Sequence, residues 1–366
     1  MSGPASGSAE NSTTVRSEKR DRPPRSARLG ALRAAFGVLE HTAPGLGAQW
    51  AGRLWCTPIR PNADAVARSR AGGRGELRTL RISLPDWTGR DPVDRDGRRK
   101  QPLEVEIAAE IWGPPDGPPV YLMHGWGGWR GQFAPVARAL AEAGCRAVAF
   151  DAPSHGDSGP GSLGPGRSLL PDFSNSLTEV VRLLGPARAV VAHSLGGGCT
   201  ALAALDGLEA ERLAVIAPAV DPIRYTEILA RTLGFGERIR TRMVRSAQRR
   251  TGIGFAAYDV VGRAAARDDL PPLLVVHDRD DADIPFSQGA ALAGAWSGAG
   301  LMGTQGLGHR RVLRDERVIA AVTDFVAGRA AVGGTGSAGS GSVGTGSVGT
   351  GSVGTGSVGA ESGEPI

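Results

Sequence analysis

Between residues 78 and 330 short apolar runs alternate with longer stretches in which apolar residues recur every three or four positions. Leu80 to Leu84 and Leu103 to Ile111 alternate apolar with polar side chains and predict an opening antiparallel pair. Val120 to Met123, Ala147 to Phe150, Ala189 to Ala192, Leu213 to Ala217 and Leu273 to Val276 are near-continuous apolar runs, the pattern of central parallel strands buried on both faces. A weaker strand is expected around Gly300 to Thr304. Helical faces lie between: Phe133, Val136, Ala137 and Leu140; Phe173, Leu177, Val180, Val181 and Leu184; and Val318, Ile319, Val322 and Phe325. Repeated strand-helix units with right-handed crossovers predict an α/β fold, a mostly parallel sheet of eight strands with helices on both faces. Ligands of such sheets bind beyond the C-terminal strand ends, so chemistry is expected there.

The flanks read differently. Residues 1–28 are rich in Ser, Pro, Arg and Glu with almost no large apolar side chains, which predicts disorder. Residues 333–366 carry a five-residue Gly-Ser-Val-Gly-Thr repeat, with Val343, Val348, Val353 and Val358 in register, too short a period for a solenoid and expected to be a flexible tail. Residues 29–58 form a helical prelude, with Leu32, Ala35, Phe36 and Leu39 on one face and Leu46, Trp50 and Leu54 on a second beyond Pro44-Gly45. Few of its residues are basic, so packing on the core is favoured over a membrane-surface hairpin, though peripheral membrane contact stays open. The main domain is then 59–332, with a small helical cap over about 221–270.

At the strand ends, Val190-Val-Ala-His-Ser194-Leu-Gly-Gly-Gly198 runs from a β-branched stretch through a serine boxed in by small residues into a helix. A serine on so sharp a turn projects its hydroxyl from strained backbone and needs small neighbours two positions away; Ala192 and Gly196 supply them, Ala192 in place of the commoner glycine. This pentapeptide alone is equally an ordinary turn in a Gly-rich chain. After the strand ending at Met123, His124-Gly-Trp-Gly-Gly128 brings backbone N–H groups near a substrate oxygen, so the N–H groups of Trp126 and Leu195 are the candidate oxyanion hole. His124 reads as structural. Asp151-Ala-Pro-Ser-His-Gly-Asp-Ser158 gathers Asp, Ser and His, but local hydrogen bonding in a Pro/Gly turn explains that grouping better than catalysis. Four aspartates follow the strand ending at Val276, in His277-Asp-Arg-Asp-Asp281-Ala-Asp-Ile-Pro285, and His309 stands on a glycine-flanked loop in Gly306-Leu-Gly-His-Arg-Arg311.

Taken together these motifs resemble the α/β-hydrolase fold superfamily, over about residues 78–328, in its serine hydrolase, esterase- and lipase-like members. The resemblance rests on His124-Gly125, Asp151-x-Pro-x-His-Gly-x-Ser158, Ala192-His-Ser-Leu-Gly196 and His309 in that order. In that superfamily the acid sits in Gly-x-x-Asp-x-x-Val/Ile-Pro, which here aligns Asp278 with the glycine and selects Asp281; members with the acid one strand earlier make Asp221 the reserve acid. The resemblance implies a Ser194, His309, Asp281 triad acting through an acyl-enzyme on a small-molecule acyl substrate, with esterase, lipase, thioesterase, peptidase and carbon-carbon hydrolase activities all open. The rival from another class is a non-catalytic binding module that uses the same cleft.

Composition removes other classes. Of 42 basic residues only Lys19 and Lys100 are lysines, and residues 1–34 hold seven basic and three acidic side chains, so the body is nearly neutral despite a net charge of +5. No basic stripe for nucleic acid is expected. Arg238, Arg242, Arg245 and Arg249 share one helix face in the cap, read as a solvated face rather than an anion grip. Ile228, Leu229, Leu233 and Phe235 fit an acyl pocket or cap packing equally. Cys56, Cys145 and Cys199 are widely spaced, against a disulfide framework or zinc site. No dinucleotide fingerprint, phosphate loop or metal cluster is present, so no cofactor is expected, and no apolar run suits a membrane span or secretory signal, which makes cytoplasmic residence the expectation.

Overall fold

The buried parallel strands follow from their composition: every residue of Ala189–His193 (β5) and Leu213–Ile216 (β6) is buried, as flanking helices require. A computed structural model describes residues 25–59, 61, 63, 64, 66, 67, 75–85 and 102–329. The expected disordered segment up to residue 24 and the repeat tail from 333 lie outside the described residues. The remaining strands are Glu76–Leu84 (β1), Leu103–Trp112 (β2), Pro119–Met123 (β3), Arg146–Phe150 (β4), Leu273–Asp278 (β7) and Ala299–Thr304 (β8). They form one sheet of eight strands in the order β1-β2-β4-β3-β5-β6-β7-β8. Only the β1–β2 and β2–β4 pairs are antiparallel.

Strand periodicity divides the core. Along β3, Tyr121 and Met123 face a layer with Phe150, Phe173, Leu177 and Val215, whereas Val120 and Leu122 face another with Phe133, Val136, Leu140 and Val322. Helices Leu170–Leu184 (α4) and Leu195–Leu205 (α5) cover the first layer; Ala134–Glu142 (α3) and Glu316–Val326 (α11) cover the second. Burying each of Phe173, Leu177 and Val180 from α4 contributes about 1.5–3 kcal/mol.

The prelude forms two helices, Arg25–Thr42 (α1) and Pro44–Trp55 (α2), so helix begins four residues before the expected start at 29. Pro44 fits the first turn of α2, where a missing N–H costs no intrahelical bond. The cap comprises Pro222–Leu233 (α6), Glu237–Thr251 (α7) and Val260–Ala265 (α8), and Phe286–Ala295 (α9) follows β7. Phe36, Ala48 and Ala51 of the prelude share a cluster with Leu233, Phe235, Ile239 and Met243 of the cap. Leu233 and Phe235 are therefore cap packing, and the four arginines of α7 are exposed. Glu40 also caps α7, accepting the N–H groups of Gly236, Arg238 and Ile239. Among the described residues no helix is long and apolar enough to cross a membrane.

Candidate active site

At the end of β5, Ser194 has φ 56° and ψ −126°, a left-handed conformation rare for a residue with a side chain and costing on the order of 1–3 kcal/mol. Hydrogen bonds hold it there: its N–H donates to Ile216 O at 3.0 Å, and its carbonyl accepts Gly197 N–H at 2.9 Å and Ala219 N–H at 3.0 Å. Close approach leaves no room on either side. A Cβ on Gly196 would stand 2.4 Å from His124 O, and one on Gly125 would stand 2.6 Å from Ser194 Cβ. The backbone of the β3 loop therefore lies directly against the serine. Leu195 opens α5, where its N–H has no intrahelical acceptor and points with the positive end of the helix dipole.

His309 Nε2 lies 3.0 Å from Ser194 Oγ, and its Nδ1 lies 2.8 Å from Asp281 Oδ2. Thus Ser194, His309 and Asp281, 115 and 28 residues apart along the chain, meet in one hydrogen-bonded line. Asp281 Oδ1 accepts the N–H groups of Asp283 and Ile284 at 2.9 and 2.8 Å. Burial pushes its carboxyl up, but the bonds from His277, His309 and Ile284 outweigh that and hold it well below the usual carboxylate range. An ionised Asp281 fixes the His309 tautomer with hydrogen on Nδ1, leaving Nε2 free to accept the serine proton. Asp221, the reserve acid, instead caps α6 by accepting Arg224 N–H at 3.0 Å and is exposed.

His309 does not sit on an open loop as its glycine flanks suggested. Gly306 and Gly308 take left-handed φ of 79° and 64°, which turns the chain from β8 into a one-turn helix, Gly308–Arg311 (α10). Two further histidines position the site through their contacts. His193, the variable residue of the elbow, is buried and hydrogen-bonds through Nε2 to His309 O at 2.8 Å. His277 Nε2 bonds Ile284 O at 3.0 Å, bracing the turn that carries Asp281. Neither was recognisable from spacing, because each role depends on a long-range contact.

His124 is buried, donates from Nδ1 to Gly125 O at 2.7 Å and accepts Ala152 N–H at Nε2, tying the β3 loop to the β4 loop. Trp126 packs its ring over Phe173 and edge-on to His155. In the β4 loop, Asp151 is buried and accepts Arg130 N–H and Asp157 N–H, while Ser158 Oγ donates to Asp151 O, so these polar groups satisfy one another. A cavity of 570 Å³ lies beside this loop, bordered by Leu77, Gly127, Trp129 and Asp157 rather than by the triad. Among the described residues no His, Cys, Asp and Glu group could hold a metal ion.

A family model described as alpha/beta hydrolase fold matches residues 118–219, the stretch containing the β3 loop and the elbow. A putative lipase from Acinetobacter baumannii superposes with a TM-score of 0.51 at 16% identity, covering 74% of this chain and 97% of its own. The chain has the α/β-hydrolase fold. A bacterial membrane phospholipase A shares it, with a TM-score of 0.50 at 16% identity over 83% of this chain and 98% of its own. No curated protein matches the chain.

Three buried histidines make this α/β-hydrolase-fold chain acid-sensitive. Burial lowers His124 to about 4, and burial together with neighbouring imidazoles lowers His155 to about 3 and His193 to about 3. Unfolded histidines titrate near 6.5, so between 6.5 and these values the unfolded chain binds more protons and stability falls as pH falls. Each group costs on the order of 3 kcal/mol by pH 4. The melting temperature is expected to be flat from about pH 7 to 8 and to drop steeply from about pH 6.5 to 4; a flat profile down to pH 4 would overturn the neutral, buried assignment of these rings.

Proposed function

We propose that the chain is a serine hydrolase that cleaves ester-type acyl bonds through an acyl-enzyme. The observation that carries this reading is the unbroken line from Ser194 Oγ through His309 to Asp281, at 3.0 and 2.8 Å. With hydrogen on Nδ1, His309 Nε2 takes the proton of Ser194 as its oxygen attacks the carbonyl carbon. The ionised Asp281 stabilises the imidazolium that forms. Negative charge then grows on the carbonyl oxygen, where the N–H groups of Trp126 and Leu195 are the proposed donors. The imidazolium returns its proton to the leaving alcohol, and the serine keeps the acyl group. Water, deprotonated by the same Nε2, attacks the acyl-enzyme and restores the serine. Every step uses groups of this chain, and the reading calls for a small-molecule acyl substrate and no cofactor.

The reading is tested with a fluorophosphonate probe on folded protein. Wild type is expected to gain one adduct on Ser194, and Ser194→Ala none. Absence of labelling, or equal labelling of both, sinks the proposal. A series of p-nitrophenyl esters of graded chain length then places the acyl preference.

A further inference from the structure

β7 ends at Asp278 and the turn after it carries Asp280 and Asp283 besides Asp281; Asp278 stands where the pattern this chain resembles has glycine. Asp278 is fully buried. Its Oδ2 accepts the Thr304 hydroxyl at 2.7 Å and Leu307 N–H at 3.1 Å, and its Oδ1 accepts Asp280 N–H at 3.1 Å. Those donors are a hydroxyl and backbone N–H groups, all uncharged, so the burial of this carboxylate is offset by hydrogen bonds alone. Asp280 Oδ2 accepts Gly306 N–H at 3.0 Å. Three neighbouring carboxylates thus hold the segment from Thr304 to His309 at successive points: Asp278 at Thr304 and Leu307, Asp280 at Gly306, and Asp281 at the imidazole itself.

The held segment needs holding. It contains Gly306 and Gly308, both at left-handed φ, and a chain with two such glycines has wide backbone freedom when its amides are unbonded. A base must stay within hydrogen-bond reach of both the serine and the acid, and a displacement near 1 Å costs about a hundredfold in rate. We propose that Asp278, assisted by Asp280, is a positioning residue that clamps the β8–α10 segment so that the His309 imidazole is aligned before substrate arrives. The catalytic part of this inference rests on the serine hydrolase reading; the clamp itself does not. Glycine in the same slot supplies no acceptor, so this chain has a device for aligning its base that the glycine pattern lacks.

The test uses the full chain with Asp278→Asn, Thr304→Val and Thr304→Ser, measuring ester turnover, melting temperature and amide hydrogen exchange over residues 304–311. Asp278→Asn places an amide donor against the N–H groups it must accept, and its kcat is expected to fall roughly 10- to 100-fold with KM within about twofold. The Leu307 amide exchanges faster in the same variant. Thr304→Val is expected to lower kcat several-fold and speed exchange, whereas Thr304→Ser keeps the hydroxyl and stays near wild type. If Asp278→Asn does not fold, Thr304→Val reads the same clamp. Unchanged exchange in the variants overturns the clamp; faster exchange with unchanged kcat overturns its positioning role. A wild type with no turnover and no fluorophosphonate adduct overturns the hydrolase reading instead, and the exchange measurement still decides the clamp.

Discussion

Asp281→Asn is expected to lower ester turnover by roughly four orders of magnitude. The amide has the shape of the carboxylate and still offers an oxygen to the N–H groups of Asp283 and Ile284, so the turn survives. What changes is the atom facing His309 Nδ1, which becomes an N–H₂ donor opposite an N–H donor. The imidazole escapes that conflict by moving its hydrogen to Nε2, and an Nε2–H cannot accept the serine proton 3.0 Å away. Geometry is retained and the tautomer is wrong. Asp283→Asn and Asp221→Asn are expected to stay within a few-fold of wild type, since the side chain of Asp221 caps α6 and Asp283 is exposed. Asp280→Asn falls between, because it touches the base segment only at Gly306. Greater damage from Asp221→Asn than from Asp281→Asn would refute the acid assignment.

The ease with which the fold could be read from the chain has a physical cause. Strands such as Val120 to Met123 and Val190 to Ala192 are buried on both faces, so every position is apolar and the run stands out against the amphipathic helices beside it. Ser194 was legible for a steric reason: the turn permits small neighbours, and small neighbours can be seen in a sequence. The surroundings of the base were hidden for the opposite reason. His193 and Asp278 act on His309 and on Leu307 from 116 and 29 residues away, and no local spacing encodes such a pairing. The glycines around His309 signalled a turn, but their left-handed angles start a helical turn whose amides are taken up by carboxylates from another strand end. Likewise Leu233 and Phe235 could have faced a ligand or a neighbour, and only the packing of α1 and α2 on the cap decides for the neighbour.

Gly196→Ala is expected to damage both the fold and turnover although it adds a single carbon. Its Cβ would stand 2.4 Å from His124 O, 2.7 Å from Met123 O and 3.0 Å from His124 C, all backbone atoms of β3 and its loop, so no side chain can swing aside. Relief requires α5 and β3 to part, although β3 is a central strand of the sheet and α5 is buried along its length. A loss of about 3–4 kcal/mol, read as a fall of roughly 10 °C in melting temperature, follows from such overpacking. Parting α5 from β3 also separates Leu195 from Trp126, the proposed pair of oxyanion donors, and the loss of one such donor lowers turnover by about 10²–10³. Ala192→Gly is the contrasting variant. The Ala192 methyl is buried among core side chains opposite Met123 and Val215 in the sheet, so it has room where Gly196 has none. Its removal costs about 1 kcal/mol through backbone freedom and is expected to leave turnover within a few-fold. The two small residues that box the serine are thus unequal: at 192 a methyl fits, and at 196 only glycine lets the elbow close against the β3 loop. A Gly196→Ala protein that melts and turns over like wild type would show that this contact is looser than 2.4 Å implies.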